Sequence, residues 1–421
     1  MSPVRLAVRA TLSVLIAAAA VLVAALYLPQ FASGAVALAR PIPGALPVPP
    51  LSDGYRPLHK GHIDVATGLY VREDEDLVLR GTPSYVLRRT YRTNDARSRA
   101  FGVGASHTGE LYLIGDGKLF QWADLILEDG GRIRYDRVSS GTSVFNARFE
   151  HWETPTAFYG SQLAWSGTDW IIRERNGTLL RFLLCGPNQG VCSISSIRQP
   201  DGQTIRFQRD AAGKLIRIEA GTQWMSFEYG EGGRIARAQD HTGHAVAYTY
   251  DPRGRLRQSL DSDGTKRTYD YDERDRLIRI DEPNRVVENR YDDADMCVWQ
   301  RAFFPPDPRN RLSGAGETYE FRFEYTMQEG RVHETRIWET NAPSQRLVFT
   351  PSGYVASETW DFESDRPKTI TYERDPLTGL VSGLTLRCGG GRWQTVRTLP
   401  ATPATKDEVK EELLATSCAS H

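Results

Sequence analysis

One turn-bearing unit recurs at a fixed interval, and that recurrence limits the folds open to the chain. Aligned on its glycine, Asp210-Ala-Ala-Gly213-Lys-Leu215 is followed by Tyr229-Gly-Glu-Gly-Gly233-Arg-Ile235 and Tyr250-Asp251-Pro-Arg-Gly254-Arg255-Leu256. Tyr271-Asp272-Glu-Arg-Asp275-Arg-Leu277 comes next, with aspartate in the glycine slot, and Tyr291-Asp292-Asp-Ala-Asp295 is a degraded further copy. Successive copies are offset by 20 or 21 residues. Each copy reads as one supersecondary unit that cannot bury its own face, so stability has to come from its neighbours.

The parts of the unit have separable jobs. Phe227/Tyr229, Tyr248/Tyr250 and Tyr269/Tyr271 are spaced by two, which puts each pair on one face of a strand. Asp251-Pro252-Arg253-Gly254 suits a type I turn, with aspartate first, proline's fixed φ second and glycine fourth. Arg255 and Leu256 open the return strand, and Asp263-Gly264 turns the chain toward the next tyrosine pair. Each repeat is expected to be two strands and two turns, with tyrosines stacked in aromatic ladders across neighbouring copies. Turn dipeptides recur at Asp116-Gly117, Asp129-Gly130, Asn176-Gly177 and Asp201-Gly202, between short runs of β-branched, aromatic and leucine residues. Such dipeptides supply the positive backbone angles of tight hairpins. The expected fold class is all-β, built from consecutive hairpins.

The stretches "YTYDPRGRL" and "YDYDERDRL" resemble the YD repeat of RHS proteins. Residues 61–94 resemble the N-terminal module that often precedes those repeats, through the turn at Asp64–Gly68, the stretch Asp76–Gly81, and Arg89 with Tyr91. "FGVGASHTGELYL" continues the match, except that the family pattern usually carries Trp where this chain has Ala105. The resemblance covers residues 60–300 well and 300–395 loosely. It implies a curved, spiralling antiparallel sheet, here a partial RHS shell. Long members enclose a C-terminal toxin and end their repeats in an autoproteolytic core. No such block is legible after residue 300, so the toxin-carrier function is not transferred whole. The structural repeat residues are Tyr229, Gly233, Tyr250, Asp251, Gly254, Arg255, Leu256, Tyr271, Asp272, Leu277, Tyr291 and Asp292.

Ahead of this body, Arg5 and Arg9 precede an uncharged apolar run over residues 10–28. That run is about long enough to cross a bilayer as one helix. Ala37-Leu-Ala39 offers a cleavage box, so the segment reads as an anchor or a removed signal, the anchor being favoured; either exports the body. The expected layout is a basic cytoplasmic start (1–9), the anchor or signal (10–28), a stiff proline-rich linker (29–58), the β module (59–200), the YD repeats (201–300), degenerate β repeats (301–398) and a tail (399–421). Cys185 and Cys192 bracket a Gly/Pro loop and suit a local disulfide in an oxidising compartment.

Charge and motif patterns narrow the function classes. With 52 basic and 53 acidic residues, the chain has no global pull toward nucleic acid. His241 and His244 beside Asp240 fall in a hairpin turn and read as exposed turn residues rather than metal ligands. Ser106 and His107 are adjacent, which does not make a nucleophile–base pair, and no G-x-S-x-G elbow exists. No phosphate loop or dinucleotide fingerprint occurs. Most carboxylates occupy turn slots, where aspartate serves the backbone. Nine tryptophans read as core between sheet layers, with a sugar-binding surface as the rival reading. The functional expectation is a non-enzymatic, envelope-anchored scaffold without cofactor or metal, binding carbohydrate or an envelope protein. The alternatives are a companion shell of a contact-dependent toxin system and an envelope glycan hydrolase.

Overall fold

Turn chemistry sets the local structure. In the computed structural model the glycines of Asp129-Gly130, Asn176-Gly177, Asp201-Gly202 and Asp263-Gly264 hold φ of +80°, +95°, +89° and +91°. Glycine enters this left-handed region without steric cost, and each of these turns joins two antiparallel strands. The structure describes residues 62–115, 121–140, 143, 146–152, 158–183, 191–305, 316–351, 353–374, 381–389 and 410, with the backbone of strands at 58–59 and 393–398. All of them belong to the unit Pro43–His421, one of two compact units in the chain. The expected membrane segment 10–28 and the turn at Asp116-Gly117 lie outside the described residues. Among the described residues no helix is long and apolar enough to cross a membrane.

Two principal sheets form. A five-stranded antiparallel sheet orders Leu58–His59, Ile63–Asp64, Leu69–Leu79, Tyr85–Arg92 and Ala105–His107 side by side. The larger sheet starts at Tyr112–Gly115 and runs hairpin by hairpin to Trp393–Thr398. Its first eight strands, through Cys192–Arg198, close a ring where Cys192 and Ser193 pair with Leu113 and Tyr112. Further along that strand, Ser196 and Arg198 pair with Arg206 and Thr204 of the next strand. The strand therefore serves both the ring's first strand and the sheet's continuation, and the sheet winds onward from the ring. The result is the expected all-β, curved antiparallel sheet.

Alternation decides which face is buried. Ile205 and Phe207, Met225 and Phe227, Val246 and Tyr248, and Tyr269 lie inward and are nearly inaccessible. Burying an aliphatic or Phe side chain of this kind contributes roughly 1.5–3 kcal/mol. The smaller sheet and the hairpin at residues 98–103 cover this inner face: Tyr85 meets Phe207, Phe101 meets Tyr248 and Tyr91 meets Tyr271, at ring separations of 5.9, 4.9 and 5.9 Å. Ala105 is buried opposite Tyr91 in the register.

Each YD hairpin also carries a β-bulge, at Glu228/Tyr229, Thr249/Tyr250, Asp270/Tyr271 and Arg290/Tyr291. A bulge leaves one residue outside the ladder and increases local twist. At the start of three return strands the backbone N–H turns to the N-terminal module instead. Ile235 donates to the Ala100 carbonyl (2.8 Å), Leu277 to the Tyr91 hydroxyl (3.1 Å) and Cys297 to the Gly68 carbonyl (2.7 Å).

Candidate functional site

The repeat motif first. The aspartate after each tyrosine closes its own turn. Asp251 Oδ1 accepts from the N–H groups of Arg253 and Arg255, both at 3.0 Å, and Asp272 Oδ1 from those of Arg274 and Arg276, both at 2.9 Å. Asp292 repeats the pattern with Ala294 and Met296 at 2.9 Å. This local capping is why aspartate is favoured at such turns. The next slot needs a left-handed backbone, supplied by Gly233 (φ +71°) and Gly254 (φ +79°), and then by Asp275 (φ +64°) and Asp295 (φ +65°).

The arginine that follows links one copy to the next. Arg255 Nε donates to Asp251 Oδ2 at 2.6 Å, and its Nη1 reaches Asp275 Oδ1 at 3.1 Å. Arg276 does the same with Asp272 (2.7 Å) and Asp295 (3.1 Å). The two guanidiniums lie over the rings of Tyr271 and Tyr291, each at 5.1 Å. Lys214 stands over Tyr229 at 5.0 Å and Arg234 over Tyr250 at 5.8 Å. The expected stack of tyrosine on tyrosine is not seen among the described residues; a cation lies over each of these rings instead. A cation over a ring face is attracted by the ring quadrupole, by about 0.5–2 kcal/mol. The tyrosine hydroxyls donate to the preceding return strand: Tyr229 to the Leu215 carbonyl (2.9 Å), Tyr250 to Ile235 (2.6 Å) and Tyr291 to Leu277 (2.6 Å). Leu256 and Leu277 are buried at the base of their return strands.

The inner member of each tyrosine pair meets a buried ionic cluster from the module. Arg72, Asp74 and Asp76 alternate on the strand Leu69–Leu79, and Arg89 lies on Tyr85–Arg92; all four are nearly inaccessible. Arg89 Nε donates to Asp76 Oδ2 at 3.0 Å, and its Nη2 donates to the Tyr269 hydroxyl at 3.0 Å. The Tyr248 hydroxyl donates to Asp76 at 2.8 Å, and that of Tyr269 to Asp74 at 3.2 Å. Arg72 joins Asp74 to Glu282, both at 2.5 Å. Burial alone would raise Asp74, but the guanidiniums of Arg89 and Arg72 outweigh it and hold that carboxyl well below the usual range.

The other candidates resolve as follows. Ser106 Oγ donates to the carbonyls of Thr90 and Glu128, and His107 Nδ1 accepts from the Gly109 N–H at 3.1 Å, so the two side chains make no pair. Burial, helped by Arg209 and Arg99, lowers His107 to about 3. His241 and His244 are exposed; His244 Nε2 lies 2.6 Å from Asp261, while Asp240 caps its own turn through Thr242 and His244. Among the described residues no group of three His, Cys, Asp or Glu is placed to hold a metal ion. Cys192 and Cys388 are each engaged in a disulfide and Cys297 is a free, buried thiol; Cys185 lies outside the described residues.

The tryptophans depart from the core expectation. Trp170 is buried, but Trp122, Trp224, Trp299 and Trp338 are half-buried. Arg134, Arg217, Arg290 and Arg322 cover these four indoles in turn at 4.1–4.3 Å. Sequence reasoning missed both this roofing and the module's ionic cluster. The signal for the cluster was present, since Arg72, Asp74 and Asp76 at spacing two put three charges on one strand face.

The comparisons with known proteins agree with the geometry. The RHS Repeat family matches residues 250–287, and the Domain of unknown function DUF6531 matches residues 60–135. No curated relative matches the chain. Solved structures that match parts of the chain include the crystal structure of TcdB2-TccC3, at 11% identity over 80% of this chain and 23% of that one, with a TM-score of 0.38. A Tc holotoxin pore from Photorhabdus luminescens matches at 10% identity over 76% of this chain and 20% of that one, with a TM-score of 0.28. The chain thus spans less than a quarter of the length of either. The chain thus carries an RHS repeat at residues 250–287, within YD hairpins that pack on a segment matching DUF6531.

Proposed function

We propose that this chain is a non-catalytic scaffold, an exported repeat sheet that presents its outer surface to a protein partner. The observation that carries the reading is the buried Arg72–Asp74–Asp76–Arg89 cluster, whose charges are paired with one another and with Tyr248, Tyr269 and Glu282 of the repeats. Groups tied in this way fix the position of one sheet on the other and are poorly placed to act on a substrate. The apolar run after Arg5 and Arg9 supports export, and the bonded cysteines Cys192 and Cys388 suit an oxidising compartment. Roofing of half-buried indoles by arginine favours protein over carbohydrate, because sugar stacking needs an open ring face. In this reading the partner belongs to a toxin system, for which the chain is a companion shell.

The test is an affinity capture of the tagged full chain from envelope extracts, with a glycan array alongside. Recovery of one protein partner without glycan binding is the expected result; glycan binding with no partner would overturn it. The hydrolase alternative would rest on Glu128, which burial, aided by Asp129, pushes up to about 7. Peptidoglycan turnover by the purified protein that disappears in Glu128→Gln would establish that alternative in place of the scaffold.

A further inference from the structure

The cation–tyrosine series runs through four successive copies and then stops, and a cleft lies where it stops. Lys214, Arg234, Arg255 and Arg276 each cover the tyrosine of the following copy. In the next copy that slot holds Met296, and the following tyrosine is Tyr325, whose hydroxyl donates to the Cys297 carbonyl at 2.6 Å. This repeats the bonds of Tyr229, Tyr250 and Tyr291 to their preceding return strands. Tyr325 thus occupies the ring position of the series, yet no cation stands over it among the described residues. Asp292 Oδ1 caps its turn as Asp251 and Asp272 do. Its Oδ2, the oxygen that accepts from arginine Nε in the two preceding copies, has no donor among the described residues. A cleft of about 340 Å³ lies between these groups, lined by Asp292, Met296, Phe323, Glu324, Tyr325 and Arg336. Arg336 does not fill the slot, because its Nε is held by Glu334 at 2.8 Å and its guanidinium faces Phe362.

We propose that this cleft is a receptor for an arginine side chain of a partner protein. The occupant is named by the chain itself, which places a guanidinium between the same aspartate and the same tyrosine in the two copies before. A guanidinium presents parallel N–H donors to a carboxylate and a flat face to a ring, and an ammonium does neither as well. The proposal rests on the scaffold reading for its partner and adds the chemistry of one contact.

The probe is N-acetyl-L-arginine methylamide, with its citrulline and lysine counterparts, followed by saturation-transfer NMR on the full-length protein. The arginine probe is expected to bind with a dissociation constant on the order of millimolar, and about tenfold tighter than the uncharged citrulline analogue. Asp292→Asn keeps an oxygen for the turn's N–H groups and removes the charge, so it should lose the arginine preference. Met296→Arg should lose the probe because its own guanidinium takes the slot; if that variant does not fold, Asp292→Asn alone decides. Equal binding of arginine and citrulline, or an arginine preference that survives Asp292→Asn, would overturn the proposal. A partner captured equally well by wild type and Asp292→Asn would also overturn it, while leaving the scaffold reading standing.

Discussion

Asp272 shows how much one side chain does in this fold. One carboxylate oxygen accepts two backbone N–H groups and the other accepts from Arg276, whose guanidinium covers Tyr291. Asp272→Ala strands the turn's donors and frees the arginine, and should cost about 1–3 kcal/mol in urea unfolding. Asp272→Asn retains the turn bonds and should cost less. Gly254 is constrained differently: φ is +79° and an added Cβ would strike the Arg234 guanidinium. Gly254→Ala should therefore push Arg234 off Tyr250 and lower the unfolding free energy by about 1–2 kcal/mol.

His107 carries the residue-scale pH dependence. Its folded pKa of about 3 lies below the ordinary histidine value of 6.5, so between these values the unfolded chain binds the proton more readily. The stability it contributes is therefore full above pH 6.5 and is lost as pH falls toward 3, by up to about 1.4 kcal/mol per pH unit. The stability of wild type relative to His107→Gln should fall along that slope on acidification. A difference that stays flat between pH 6.5 and 4 would contradict the assignment.

At the scale of the element, the YD hairpin divides its two aromatic positions between two tasks. The second tyrosine of each pair is capped by a cation and ties one copy to the last, while the first, Tyr248 or Tyr269, bonds to the module's aspartates. Removing Arg89 alone leaves Asp74 and Asp76 buried without their principal counter-ion, so Arg89→Met should destabilise by about 3–5 kcal/mol. Replacing Arg89, Asp74 and Asp76 together by apolar residues of similar size should cost less than Arg89→Met, because no charge is then stranded. Denaturant midpoints of the two variants decide the point.

The hairpins were legible in the sequence because their determinants are local. Asp-Gly turns, Tyr-x-Tyr spacing and the Asp251-to-Gly254 turn depend on neighbours within a few residues. The β-bulges were not, since a one-residue slip between Thr249 and Tyr250 shows in no composition or period. Which tyrosine each arginine covers was hidden for a related reason: Arg255 and Tyr271 lie in different copies, and the sequence does not say which ring an arginine meets. The ionic cluster joins residues nearly two hundred positions apart, such as Asp74 and Tyr269. Only the inward alternation of Arg72, Asp74 and Asp76 hinted at it.

For the whole described body, these contacts make the DUF6531 segment the inner support of the repeat sheet. The module reaches the repeats through backbone bonds at Ile235 and Cys297, through the Tyr91 hydroxyl at Leu277, and through the ionic cluster at Tyr248, Tyr269 and Glu282. Thr335 extends the contact by donating to the Val65 carbonyl at 2.7 Å. The repeats bury their inner face against the module, so neither part has a complete core alone. The most direct measurement is native-state hydrogen exchange across the full-length protein, comparing wild type with Arg89→Met. The expected result is that amides of Leu69–Leu79 and of the repeat strands between Gln223 and Tyr291 share one opening free energy and lose protection together in the variant. Loss of protection confined to the module, with the repeat strands unchanged, would contradict the account.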